Sequence, residues 1–345
     1  MSDFDIITHW VVNNFIENAV CVNYNNGVRN DFQEPFSDPF TLNEQMFMKN
    51  FRLTKYVARY LINLLTPFLK TPSRLSSIDI DTKVVTALND PSIFDSWIKF
   101  PQSIGELTAV RHKFYRKTGF PGVIGCLNCT HVAIVPPSIN LNLNENRYPE
   151  YMYVNRKNYH SINVQLRYVS KSVSVLASVA HSLIASRDYI LKFNKLLLYE
   201  ATFPSLLFYL KINCDKNVLS HSINFLNASS SNIAEKYFNQ NQMSTRSIIE
   251  RCNGVLKIRF RCLLKHRILH YTPEKALSII NICIVLHNMC ITNNVPVYED
   301  DNTECDNLGM MGDQEILANN NRNLDLSLGR QKREKIITYL FQRHV

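Results

Sequence analysis

The sequence predicts an α/β chain: a mixed sheet with flanking helices, preceded by a helical N-terminal region. Three observations carry this. Short β-prone runs follow one another after Gly119, and stretches with apolar residues at three- and four-residue spacings lie on either side of them. The strands first run in succession and then alternate with helices, an order that suits a mixed sheet covered by helices. With 345 residues, 46% of them hydrophobic, the chain can bury a sizeable core. The organisation expected is a helical region over 1–118, an α/β domain over 119–292, and a flexible polar segment with a basic terminal helix over 293–345.

Taken in order, residues 1–40 hold Asn- and Asp-rich patches and read as a loosely structured lead-in. Thr41 followed by Glu44 has capping-box spacing and opens a helical region. That region continues from Thr54 to Leu65, where Val57, Leu61, Leu64 and Leu65 make an apolar stripe, and Pro67 and Pro72 end it. Asp81–Leu88 is a further short helix, and Asn89-Asp90-Pro91 breaks the chain. Glu106–Lys117 reads as a polar segment leading to a turn at Gly119-Phe120-Pro121-Gly122. Val123–Leu127 and Val132–Val135 are short strands, and Pro136–Tyr153 is a long polar loop. Ser161–Tyr168 alternates Ile162, Val164 and Leu166 with Asn163, Gln165 and Arg167, the pattern of a half-buried strand. Val173–Val179 is a third strand, His181–Asn194 a helix, and Leu207–Cys214 a fourth strand ending at Asp215. The polar connection NASSSNIAEKYFNQNQ precedes a basic helix over Arg246–Cys262. Thr272-Pro273-Glu274 starts a long helix to about Ile291. Residues 293–328 show little pattern, and Arg330–His344 forms a terminal basic helix.

Composition narrows the function. A net charge of +9 and a pI near 9.0 favour a polyanionic partner, nucleic acid ahead of an acidic membrane surface. Solvated lysines are the plain alternative. The N-terminus, MSDFDIITHW, lacks a charged-then-apolar signal pattern. The most apolar run, Leu277–Ile291, is interrupted by Ser278, Asn281, His287 and Asn288 and is short for a bilayer. A soluble intracellular chain is expected. Nine scattered cysteines, an odd number, fit reduced thiols better than a disulfide framework.

The basic helix carries one acid, Glu250, among Arg246, Arg251, Lys257, Arg259 and Arg261. Two readings stand. Glu250 is a surface ion-pair partner, or it is a metal-ligand acid in a site that handles a phosphate backbone. Carboxylates at strand ends, with one more on a nearby helix, can converge on divalent ions as phosphoryl transfer requires. Asp215 and Glu250 fit that pattern. The matching place in the first strand, within GVIGCLNCTHVAI, holds Asn128.

Smaller clusters have plain and sharp readings too. Cys126-Leu127-Asn128-Cys129 is a CxxC without a second one, so buried thiols outweigh zinc. Cys283, His287 and Cys290 share a helical face that suits a packed core better than a metal. His131 either orients substrate or is a structural histidine. Arg156, Lys157 and His160 form a solvated basic loop or a phosphate contact. Asp188 is a surface acid or a ligand.

The blocks GVIGCLNCTHVAI, YVNRKNYHSINVQL, TRSIIERCNGVLKIRFRCL and LHYTPEKALSIINICIVLHNMC, in this order over Phe120–Cys290, together resemble the Harbinger transposase-derived nucleases of the PIF/Harbinger DDE superfamily. Phe51–Lys70 is similar to that family's N-terminal helical part. The resemblance implies an RNase H-like fold, nuclease chemistry on DNA, a divalent cation (Mg²⁺ or Mn²⁺), a nuclear and cytoplasmic location, and partnership with a Myb-like DNA-binding protein. Carried over by position, it places the metal-binding residues at Asn128, Asp188, Asp215 and Glu250, with Asp215 and Glu250 catalytic. The cations near Glu250 and the Arg156–Lys157 pair become DNA contacts. Two departures matter. Asn128 is neutral where the family has an aspartate, which implies weaker metal binding. The stretch between Leu88 and Phe100 is short where the family has a helix-turn-helix-like segment, so base-specific reading is weakened while attraction to phosphates is not. A catalytically inactive DNA- or protein-binding module is the alternative.

Overall fold

Local sequence sets the ends of the N-terminal helices. The computed structural model describes residues 39–68, 80–99, 101, 103–137, 150–155, 157–169, 172–177, 208–212, 232–298 and 334–342. Asn43 caps α1 (Glu44–Phe51), its side chain accepting from the Met46 N–H at 2.8 Å. The capping box expected at Thr41 is thus corrected: Asn43 is the cap, and Glu44 Oε1 accepts from the Lys55 N–H at 3.0 Å. Thr54 caps α2 (Lys55–Leu65), whose Val57, Ala58, Leu61, Ile62 and Leu65 are buried. Pro67 then sits in a 3-10 turn, Thr66–Phe68. After α3 (Ile80–Leu88), the Asp90 carboxylate caps α4 (Pro91–Trp97), with Pro91 in the first turn where no N–H is needed.

The polar segment expected over Glu106–Lys117 is a 15-residue helix, α5 (Ile104–Thr118). Ser103 Oγ accepts from the Glu106 N–H at 3.2 Å, and Leu107, Val110 and Phe114 face the core. Gly119 ends the helix at φ 68, a left-handed conformation that glycine adopts without strain.

The two short runs expected on either side of Asn128 form one 11-residue strand, β1 (Val123–Ala133), with a register shift between Val123 and Gly125. β2 (Ser161–Val169), β3 (Ser172–Ala177) and β4 (Phe208–Ile212) complete a sheet of order β3-β2-β1-β4. β1–β2 and β2–β3 are antiparallel, and β1–β4 is parallel. Ser161–Tyr168 was expected to be half-buried, yet Asn163, Gln165 and Arg167 are buried along with Ile162, Val164 and Leu166.

α6 (Ile233–Arg259) begins well before the basic stretch. Asn232 accepts from the Ala234 N–H at 3.0 Å, and Phe238 is fully buried against Phe120, their rings 5.3 Å apart. α5 and α6 lie on one face of the sheet. Phe114 of α5 meets Tyr168 of β2 edge-on at 6.0 Å, and the Cys126 thiol of β1 donates to Thr245 O of α6 at 3.6 Å. Cys126 and Tyr168 are register partners, so their side chains share that face.

α7 (Pro273–Thr292) runs beside β3. Its 20 residues are long and apolar enough to cross a membrane, but 61% of that window is buried inside the protein, so it serves here as the core helix. The N-terminal helices dock on it through amides: Asn89 Nδ2 donates to Ser278 O, Asn281 Nδ2 to Asn89 Oδ1, and buried Asn288 Nδ2 to Trp97 O. A last helix, α8 (334–342), buries Ile336, Ile337 and Leu340 in the same continuous core. Cys126, Cys252, Cys262, Cys283 and Cys290 carry free thiols as expected. Cys129 departs from that expectation and is disulfide-bonded. The helix expected over His181–Asn194 lies outside the described residues.

Candidate metal and nucleic-acid site

Asn128 sits in the middle of β1, opposite Leu166 of β2 and beside Ile212 of parallel β4. It is 8% exposed. Strand alternation puts it on the same face as Cys126, hence toward α6. Strand and helix advance in the same direction here, because Phe120 meets Phe238 before Cys126 meets Thr245. From Cys126 to Asn128 the strand advances roughly 6–7 Å, which is about four helical residues. Asn128 therefore lies level with Ile249 and Glu250. Among the described residues, its side chain has no hydrogen-bond partner.

Glu250 is exposed and paired: its Oε1 accepts from Arg246 Nε at 2.8 Å, one helical turn away. Arg246, Glu250, Asn253 and Lys257 follow at four-, three- and four-residue steps, so they form one stripe on a flank of α6. Asn253 is a further candidate that the sequence reading did not single out. Its Oδ1 is buried without a hydrogen-bond partner among the described residues, one turn from Glu250. Its place three residues beyond Glu250 was the available signal.

Lys257 is half-buried, and that burial lowers its ammonium pKa to about 8. Its ordinary value is 10.5. Between these two values the unfolded chain holds the proton and the folded chain has lost it, so this group's contribution to stability rises with pH from about 8 to 10.5. Lys257→Met should therefore lose this rise. Urea unfolding of both proteins at pH 7.5 and 10 checks it: the stability gap between variant and wild type should shrink by roughly 1 kcal/mol or more at the higher pH. A gap that stays constant would contradict the burial of this amine.

The other expected DNA contacts separate. Arg251 is exposed, about 100° around the helix from Glu250, and donates from Nε to Ser247 O at 3.4 Å. Arg259 does not reach that surface at all. It is 4% exposed and donates from Nη2 to Val295 O at 2.9 Å, next to buried His287 and Cys290 at the end of α7. The expectation that Arg259 contacts DNA is corrected: its helical position turns it into the core. Lys157 is exposed, its N–H bonded to Asn155 Oδ1 at 2.8 Å. Arg156, Asp188 and Asp215 lie outside the described residues, and β4 ends three positions before Asp215.

His131 faces away from Asn128, because an odd offset along a strand reverses the side chain. Its Nδ1 is 2.9 Å from Ser161 Oγ, which also accepts from Asn155 Nδ2 at 2.8 Å. His160 Nε2 lies 3.0 Å from Glu150 Oε1, a close contact outside hydrogen-bond geometry. Cys126 is inert as a nucleophile: burial above all, and then Cys252, push its pKa well up. Cys283 and Cys290 are core groups, with Cys283 Sγ 3.8 Å from Cys262 Sγ.

The described residues thus place an amide on the central strand of a mixed sheet, level with a helical carboxylate. Residues 127–288 match the family of DDE superfamily endonucleases. It is 30% identical over 251 residues to Putative nuclease HARBI1 of Rattus norvegicus, a match covering 70% of this chain and 66% of the relative. The Homo sapiens protein of the same name is 29% identical over 251 residues, with the same coverage. The Xenopus laevis protein is 26% identical over 227 residues, covering 64% of this chain and 60% of the relative. These relatives derive from Harbinger transposases. The chain thus spans about two thirds of the length of the relatives it matches. No solved structure matches it.

Proposed function

We propose that this chain is a transposase-derived nuclease of RNase H-like fold that acts on DNA phosphodiester bonds with Mg²⁺ or Mn²⁺, weakened by the amide at Asn128. The observation that carries the reading is the parallel β1–β4 pair. It seats Asn128 beside Ile212, on the sheet face along which α6 brings Glu250 level. The strand order β3-β2-β1-β4, antiparallel except at β4, supports the fold.

The donor chemistry fits a hard cation. Asn128 Oδ1, Glu250 Oε1 and Oε2, and the unpartnered Asn253 Oδ1 are oxygens, the ligands that Mg²⁺ and Mn²⁺ prefer. Among the described residues no three His, Cys, Asp or Glu side chains gather, so the set depends on Asp188 and Asp215 for its remaining charge. When bound, the metal would neutralise phosphate charge and make water a better nucleophile. The chain's own part is binding and orientation. Arg246 and Lys257 flank Glu250 and would hold the DNA backbone, with Arg251 and the Arg156–Lys157 loop adding attraction. Arg246 also holds Glu250 at 2.8 Å, so it competes with a cation for the carboxylate. That ion pair and the neutral Asn128 favour a second reading, a catalytically inactive module that binds DNA or a protein. In either case a Myb-like partner would supply sequence recognition, and the chain would work in the nucleus and also the cytoplasm.

Nicking of supercoiled plasmid by the purified chain tests the proposal. Slow nicking is expected with Mn²⁺, less with Mg²⁺, and none with excess chelator. Nicking that persists in chelator would overturn the metal-dependent reading. Duplex binding without nicking under any metal would leave the binding module.

A further inference from the structure

A second site lies away from Glu250, where α8 packs against the C-terminal half of α5. The two helices and the Pro121–Gly122 turn line an open cavity of about 370 Å³. One wall is Arg111, His112 and Tyr115 of α5; the other is Ile336 and Tyr339 of α8. Its volume is near the lower end of the roughly 300–1,000 Å³ typical of small-ligand sites, so it admits one small group at a time.

The lining specifies that group. Arg111 and His112 have no hydrogen-bond or ion-pair partner among the described residues, which leaves a guanidinium and an imidazole for an anion. Tyr115 and Tyr339, each 37% exposed, bring aromatic rings to the cavity from different helices. Lys113, Arg116 and Lys117 follow on α5, and Glu106 is its one acid, so the approach is positive. A cation beside aromatic rings suits a phosphate joined to a flat base. A base within a duplex is stacked on both faces and cannot also lie against these rings, so the base must be out of the duplex stack.

We propose that this cavity takes one nucleotide, its base against the Tyr115 and Tyr339 rings and its phosphate on Arg111, as a unit of single-stranded DNA. The strand, rather than a free nucleotide, rests on the reading that this chain acts on DNA. The site would hold a strand end or a displaced base while duplex contacts form along α6.

The experiment uses the full chain and a ten-nucleotide single strand carrying one 2-aminopurine, whose fluorescence falls on stacking. Quenching is expected with wild type. Tyr115→Ala and Arg111→Gln should each weaken binding about five- to thirty-fold, while Tyr115→Phe should bind like wild type. An abasic strand of equal charge should compete poorly. Displacement by dAMP or by unlabelled strand supports the nucleotide class, and their relative potency separates a free nucleotide from a strand unit. Equal competition by the abasic strand, or unchanged binding in folded Tyr115→Ala and Arg111→Gln proteins, would overturn the proposal. Tyr339→Phe guards against a packing artefact, since it keeps the ring. Duplex binding measured in parallel keeps the two ideas apart: loss of stacking with duplex binding intact sinks only the cavity, and the reverse sinks only the role of α6.

Discussion

Asn128→Asp is expected to raise Mn²⁺-dependent nicking at least tenfold, and Glu250→Ala placed in the same background to abolish it. The reason is charge. A unit charge about 4 Å from another is worth on the order of 4 kcal/mol at an effective dielectric of 20, several powers of ten in ion affinity. Desolvation of the new carboxylate at an 8%-exposed position offsets part of this gain, so tenfold is the lower bound. The same argument predicts a signature that needs no catalysis. Without metal, an aspartate here is a buried charge lacking a hydrogen-bond partner, and the variant should unfold at lower denaturant than wild type by about 1–3 kcal/mol. Saturating Mn²⁺ should restore it, because a ligand that binds only the folded state stabilises that state. Wild type should shift much less. A variant whose Tm ignores Mn²⁺ and whose plasmid stays supercoiled would remove Asn128 from the metal site.

What was legible in the sequence follows the physics of each element. β2 showed its alternation, and α7 announced itself through Thr272-Pro273-Glu274, because cap and first turn are local. α5 was legible too, in Ser103-x-x-Glu106, in Leu107, Val110 and Phe114, and in Gly119; its many charges masked these signals. The early turns of α6 were harder. Their polar sequence is held in helix by the cap at Asn232 and by Phe238 packing on Phe120, a contact between residues far apart in the chain. The same holds for β1: Asn128 and Thr130 look like a break between two apolar runs, and only pairing with strands on both sides makes the run continuous. At the candidate site, residue type offered Glu250 as an ion-pair partner or a ligand, and the resemblance added Asn128 by position. They could not show that Arg259 turns inward or that His131 faces the opposite side, since both depend on which face packs. Asn253 escaped because an asparagine before a glycine reads as a turn signal until the helix is seen to run through it.

His287→Leu should remove an acid-sensitive weakness from the core. His287 is fully buried, and neither ring nitrogen has a hydrogen-bond partner among the described residues. Burial first, and the nearby Arg259 charge second, lower its pKa to about 3 from an ordinary 6.5. Between those values the unfolded chain takes up a proton that the folded chain refuses. Stability from this group is therefore fully present above pH 6.5 and declines as pH falls toward 3, by up to about 1.4 kcal/mol per pH unit. At pH 5 the loss is on the order of 2 kcal/mol, a sizeable share of the stability of an ordinary domain. Leucine has no proton to bind and leaves no polar atom unpaired, so the variant should be the more stable protein already at pH 7.5, and its advantage should widen at pH 5. Urea midpoints for both proteins at the two pH values decide it. Parallel loss of stability in wild type and variant below pH 6.5 would place the acid sensitivity elsewhere. A variant less stable than wild type at pH 7.5 would show that Arg259 and the α7 terminus rely on the imidazole, and would make His287 a structural partner of the Arg259–Val295 contact rather than a burden on the core.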